Sequence, residues 1–250
     1  MAMSDKSSSP QPHAKVDSSG APADAADSPL ISIQKRIATA LLLICLIAPF
    51  LWYGGWMLTG LLIVLALQMN REWEQLIPEK CPIWRMVGVF YITIPIICLI
   101  ILRDLPFMQS GDSAFYATLY PILIISFTDI FAFIFGKSFG GPKIAPAISP
   151  KKRWSGAIGG LFGAVLIAVL MVNFVPWPYH IADAVWLGGL LSVLAQLGDF
   201  FESFLKRRFN VKDTGTLLPG HGGVLDRLDS YIFVLPVYLI FLLVHAELML

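Results

Sequence analysis

Gly198-Asp-Phe-Phe-Glu-Ser-Phe-Leu-Lys-Arg-Arg-Phe-Asn-Val-Lys-Asp-Thr-Gly215, running on through Pro219-Gly-His-Gly-Gly-Val-Leu-Asp-Arg-Leu-Asp229, holds four aspartates, one glutamate, five basic residues and a His-Gly-Gly turn. On both sides the chain turns strongly apolar. Charges at this density beside membrane-length apolar runs are costly and point to a function. Carboxylates set among cations suit a metal and a phosphate, so an enzyme fits better than a passive pore.

The rest of the chain reads consistently with this. Of its 250 residues 56% are hydrophobic and 14% charged, against about 25% charged in a soluble domain, and the mean hydropathy is +0.72. An integral membrane protein follows. Apolar runs at about 36–53, 55–69, 86–102, 114–135, 157–175, 184–200 and 230–248 predict an all-α polytopic protein of about seven transmembrane helices. The count rises to about nine if 136–156 and 201–228 hide short or re-entrant segments. Residues 1–29 read as a disordered tail rich in Ser, Ala, Asp and Pro, without the pattern of a signal peptide. Residues 30–250 read as a single transmembrane catalytic domain. Cys45, Cys81 and Cys98 lack metal-site or redox spacing and read as small buried or interfacial residues. With the N-terminus inside, 17 of the 18 Lys and Arg fall on inner segments and only Arg103 outside. That partition satisfies the positive-inside rule. It predicts a cytoplasmic N-terminus and places the charged stretches on the cytoplasmic side, where nucleotides are.

Within the quoted stretch, Asp199, Glu202, Ser203 and Lys206 recur at i, i+3, i+4 and i+7, one helical face at the inner end of the sixth span. Asp226, Asp229 and Ser230 repeat the spacing at the mouth of the seventh. Two such faces meeting across a groove can hold a hard cation such as Mg²⁺ by a carboxylate from each side. The same acids could instead form an interfacial salt-bridge belt with Lys206, Arg207 and Arg227. The Pro219–Gly223 turn offers backbone N–H groups to phosphate oxygens through Gly222 and Gly223. His221 inside it reads as a phosphate contact, an acid or base, or a structural hydrogen-bonder. Upstream, Asp129 lies about two turns inside the fourth span, where an acid is expensive. Lys137, Lys143, Lys151, Lys152 and Arg153 make a basic surface suited to phosphates or anionic head groups.

These residues also resemble a known family. Ser203-Phe-Leu-Lys-Arg207, Lys212-Asp-Thr-Gly215 and Leu218-Pro-Gly-His-Gly-Gly-Val-Leu-Asp-Arg-Leu-Asp229 are similar to the signature of the phosphatidate cytidylyltransferases, also called CDP-diacylglycerol synthases. Gly136-Lys137 together with Pro146-Ala-Ile-Ser-Pro-Lys-Lys-Arg-Trp154 resembles that family's upstream block. The two blocks cover 128–160 and 198–230. The chain departs at Ser155, where many members have Glu, and at Phe133, where many have Tyr, which leaves site roles at those positions open. The resemblance implies transfer of a cytidylyl group from CTP to phosphatidate, giving CDP-diacylglycerol and pyrophosphate. Mg²⁺ is required, a second, monovalent cation is left open, and Asp199 and Asp226 are implied as metal ligands.

Two anions must meet in such a reaction, so neutralisation and positioning carry the catalysis. Glu202 joins Asp199 and Asp226 as a candidate ligand. Lys206, Lys212 and Arg227 would neutralise phosphates, with Asp213 and Asp229 as further ligands or orienting groups and His221 beside them. Asp129, Lys137, Lys143, Ser149, Lys151, Lys152, Ser203, Gly222 and Gly223 are expected to bind substrate. The expected setting is a bacterial inner membrane, with the bilayer, CTP and phosphatidate as partners and no nucleic acid. Gly159-Gly160, Gly163 and Gly188-Gly189 permit close helix contacts within a chain or between chains, and the resemblance implies a homodimer. Two other readings stay open: another CTP-dependent lipid enzyme such as a polyprenol kinase, and a small ion or solute transporter using Asp129 and Asp199. Against the transporter, the charges gather on one side and no inverted repeat is visible.

Overall fold

Long apolar runs become long helices because a bilayer leaves backbone polar groups no partner but each other. The computed structural model describes residues 45–105, 111–174, 180–211, 214–215 and 223–249. Seven helices are described: α1 (45–53), α2 (Gly55–Leu76), α3 (Pro82–Arg103), α4 (Gly111–Phe139), α5 (Trp154–Phe174), α6 (Ile181–Arg208) and α7 (Leu225–Met249). Among the described residues the only extended pairing is an isolated antiparallel bridge between Lys143 and Arg153. Five helices, α3 to α7, are long and apolar enough to cross a membrane. The expected tail, and residues 36–44 of the first expected span, lie outside the described residues. The second expected span falls on α2, which is longer than its apolar run: the helix continues through Arg71, Glu72 and Glu74 to Leu76. No re-entrant helix appears between Gly140 and Arg153, or among the described residues of 209–224.

Gly54 and Gly55, at φ +62° and +54°, turn the chain from α1 into α2, a conformation that glycine adopts without steric cost. Arg103 closes this turn. Its Nε donates to Leu51 O at 2.9 Å and its Nη2 to Trp52 O at 2.6 Å, capping carbonyls that the end of α1 leaves free. The one cation assigned outside thus has a structural task.

Three clusters hold the bundle among the described residues, the smallest of them joining Leu51, Leu58 and Leu62 to α3 and α4. The largest joins α3 to α7 around Leu102, Tyr120, Ile124, Leu187, Leu191 and Leu235. Tyr120 and Tyr238 stack there at 5.5 Å, and their hydroxyls donate to Ala184 O and Ala117 O, so neither buried polar atom goes unpaired. The second cluster packs Met69, Trp73 and Leu76 of α2 against Tyr91, Leu205, Val224 and Leu225, and forms the floor beneath the charged end. Large apolar side chains such as Val64, Ile97, Phe162, Leu197 and Ile240 point outward, as lipid contact requires. The glycines of α5 are spent within the chain. A Cβ at Gly159 or Gly163 would fall 2.4 or 2.6 Å from the side chains of Phe135 or Phe131, and one at Gly156 2.8 Å from Ala132 O, all on α4.

Candidate active site

Between α4 and α5 the chain makes a short clasp. Gly140 and Gly141, at φ +66° and +94°, end α4. The N–H of Ile144 donates to Lys152 O, that of Trp154 to Pro142 O, and Arg153 Nη1 donates to Gly141 O. Ser155 adds a hydrogen bond to Gly140 O, so the departure from the family's Glu is used to pin the clasp. This backbone presents Lys143, Lys151, Lys152 and Arg153 around one cavity of about 570 Å³, with Lys137 from α4. Its apolar wall includes Phe133, Ile144 and Phe200. Five cations and no acid line it, which is the electrostatic signature of an anion site. Ser149 does not line the cavity; its N–H donates to Ala145 O in the clasp turn.

Alongside lies a row of acids. Gly198 lets α6 approach α7, since a Cβ there would fall 2.6 Å from Asp229 O and 2.9 Å from Ser230 Cα. Ser230 Oγ donates to Asp199 Oδ1 at 2.9 Å, and Lys152 Nζ donates to Asp199 Oδ2 at 3.0 Å. Farther along α6, Lys206 Nζ stands 3.2 Å from both Glu202 Oε1 and Asp226 Oδ1. Asp226 Oδ2 also accepts the N–H groups of Gly223 at 3.0 Å and Thr214 at 3.2 Å. Buried Asp229 interacts with both Asp199 and Glu202, and its Oδ1 accepts the Ser230 N–H at 2.8 Å. Asp199, Asp229, Glu202 and Asp226 therefore form a continuous row, and the i, i+3, i+7 face of α6 meets the acid turn of α7 as its spacing predicts. Asp129 on α4 is exposed and feels the charges of Asp199, Lys152 and Arg227. Ser203 is half-buried beside the row and makes no side-chain bond among the described residues. Lys212, Asp213, His221 and Gly222 lie outside the described residues.

Among the described residues, the five acids Asp129, Asp199, Glu202, Asp226 and Asp229 stand against Lys152, Lys206 and Arg227, and hard carboxylate oxygens in such a cluster suit a divalent cation. Glu202 Oε1 is buried without a well-formed hydrogen bond among the described residues, with Lys206 Nζ 3.2 Å away. Among the described residues no three acids close into a metal cage, and Asp199 and Asp226 each hold a lysine instead. The donor set fits Mg²⁺ in chemistry. By contrast, Thr128, deeper in the bundle, is satisfied: its Oγ1 bonds Ile124 O and Ser192 Oγ.

Sequence reasoning missed Glu72 and Tyr91. Glu72 is 2% exposed at the end of α2. Its Oε1 accepts the Val224 N–H at 3.0 Å and its Oε2 the Leu225 N–H at 2.8 Å, while Gln68 Nε2 donates to Oε1 at 3.1 Å. Its signal was an acid on the buried stripe Met69, Glu72, Trp73, Leu76, at i, i+3, i+4 and i+7. Tyr91 sits between the rings of Trp73 and Phe201, with a buried hydroxyl that finds no hydrogen bond among the described residues, in the field of Asp229, Glu202 and Asp199.

Comparison with known proteins adds the relationship. A model of the Cytidylyltransferase family matches residues 82–245. The chain is 38% identical over 213 residues to a phosphatidate cytidylyltransferase of Rickettsia felis, covering 82% of this chain and 90% of that protein. With the protein of that name from Rickettsia bellii it is 37% identical over 221 residues, 85% and 92% of the two. With that from Staphylococcus aureus (strain COL) it is 43% identical over 137 residues, 55% and 53%. The region matched by the family model runs from α3 into α7 and carries the cation cavity and the whole acid row; Glu72 precedes it, but lies within the stretch shared with the two Rickettsia proteins, which covers 82% and 85% of this chain. The chain belongs to the cytidylyltransferase family.

Proposed function

We propose that this protein transfers the cytidylyl group of CTP to phosphatidate, forming CDP-diacylglycerol and pyrophosphate. The observation that carries this reading is the junction at Lys152, which lines the five-cation cavity and is bonded to the first acid of the row. An anion-binding pocket continuous with a row of carboxylates suits one reaction class above others, the meeting of two phosphates. An oxygen of the phosphatidate phosphate bonds to the α-phosphorus of CTP. The bond from that phosphorus to the α–β bridging oxygen breaks, and its electron pair leaves with pyrophosphate. The attacking oxygen is already ionised near neutral pH, so no general base is required. Lys137, Lys143, Lys151, Lys152 and Arg153 take the charge of the triphosphate, and Lys206 and Arg227 stand ready at the row. Asp199, Asp226 and Glu202 would hold Mg²⁺, whose charge would offset that of the phosphates and steady the leaving group. Lys212, Asp213, His221 and Gly222 are placed by the sequence alone, as groups flanking this site.

The acyl chains need an apolar seat next to the acids. An elongated cavity of about 400 Å³ fits: Leu228 and Tyr231 line its near end, and Leu58, Leu62 and Phe115 the far one. Its lining runs from Leu58 to Met69 on α2 and from Phe115 to Ser126 on α4, roughly 16 Å at 1.5 Å per residue. That is about half of a ~30 Å hydrocarbon core, the depth of one leaflet. The distribution of Lys and Arg supports seven spans with the N-terminus and the site on the cytoplasmic side of a bacterial inner membrane, and we adopt a homodimer as the working assembly. Purified protein supplied with CTP, phosphatidate and Mg²⁺ should yield CDP-diacylglycerol by mass spectrometry. A folded preparation that forms none overturns the reading.

A further inference from the structure

We propose that Glu72 is a positioning residue for this reaction: from the end of α2, its carboxylate fixes the backbone that aims Asp226 into the acid row. Burying a carboxylate is expensive unless its oxygens are fully engaged. Among the described residues Glu72 has no ion pair; its partners are Gln68 and the first N–H groups of α7. Those amides have no carbonyl of their own helix to bond, and the helix dipole favours a negative charge beside them. The cost of burial is thus met by a helix end 152 residues away in sequence.

The geometry ties this contact to the site. Three consecutive amides divide between two acids: Gly223 N–H goes to Asp226, while Val224 and Leu225 N–H go to Glu72. The chain also leans on the Glu72 carboxylate from a second direction. A Cβ at Gly215 would fall 2.8 Å from Oε1, and one at Gly223 2.5 Å from Oε2. Thr214, next to Gly215, gives its N–H to Asp226 as well. Both strands of backbone that grip Asp226 are therefore pressed against one side chain of α2, and a shift there passes through Asp226 and Lys206 to Glu202. Glu72 touches no reacting atom.

The proposal rests on the cytidylyl-transfer reading, and wild-type turnover tests that reading separately from the variant-to-wild-type ratio. Glu72→Gln keeps the volume but sets an NH₂ against one of two amide donors; Glu72→Asp keeps the charge and withdraws it by one methylene. Each should lower kcat per folded molecule by about tenfold to a hundredfold, as an ångström-scale misplacement does. In substrate-free full-length protein, hydrogen exchange should rise at 223–226 and stay unchanged in α4 and α5. Folded Gln and Asp variants that both keep kcat within about twofold, or that show no faster exchange at 223–226, overturn the assignment. A merely structural role would lower the folded yield and leave both readouts of the folded molecules at wild-type values.

Discussion

Asp199 and Asp226 stand at the two ends of the acid row, each holding a lysine. Replacing either with Ala removes a proposed metal ligand and a lysine's partner at one end of the row. Turnover should fall by more than about a hundredfold, the scale on which electrostatic groups act at a reacting centre, while the protein still elutes as one folded species. Near-normal CDP-diacylglycerol formation by either variant would remove them from the reaction. Lys152 is one of five cations around the cavity, so Lys152→Met should raise the KM for CTP by roughly tenfold, the loss of one charge-assisted phosphate contact. Ser149→Ala is the contrast. Its side chain is absent from the cavity lining, and its kinetics should stay within about twofold of wild type. Equal effects of the two substitutions would show that the cavity is not where CTP binds.

At the scale of elements, the site is a crossing of two helices and depends on one glycine. Gly198 meets the backbone of Asp229 and Ser230, and backbone cannot move aside as a flexible side chain can. Gly198→Ala must push α7 away, at a cost of about 1–3 kcal/mol for overpacking, and it should reduce activity at least tenfold by the same misplacement argument. Gly189 lies on the same helix, and a Cβ there would make ordinary contact with Leu161 at 3.6 Å. Gly189→Ala should therefore leave activity intact and raise the thermal midpoint, since Ala is favoured by about 1 kcal/mol in a helix. Parallel behaviour of the two variants in activity would count against a close α6–α7 crossing as the scaffold of the row.

At the scale of the whole molecule, the charged helix ends share one end of the bundle: Lys152 reaches Asp199, Arg207 reaches Ile148 O, and Glu72 reaches α7. In a variant without its three native cysteines, a cysteine introduced at Arg208 should react with an impermeant reagent only from the cytoplasmic side, and one at His180 only from the other. The reverse pattern would invert the proposed topology. The proposed Mg²⁺ at the acid row makes the reaction metal-dependent, so chelation should abolish turnover and added Mg²⁺ restore it. Full activity in metal-free protein would sink the assignment of Asp199, Glu202 and Asp226 as ligands.

Much of this protein was legible in its residues. A hydrocarbon solvent forces apolar runs into helices one by one, so local composition alone predicted an all-helical membrane protein. The i, i+3, i+7 spacing of Asp199, Glu202 and Lys206 likewise predicted a shared face, because three residues of one helix need no other element to bring them together. What the chain alone could not specify was which groups meet across it. Lys152 on Asp199, the glycines of α5 against α4, and above all Glu72 beneath α7 are contacts between distant segments. The partners of Glu72 are backbone amides, which every residue but proline carries and which leave no mark in a sequence. Only the packing of α2 against α7 decides which amides a buried acid will find.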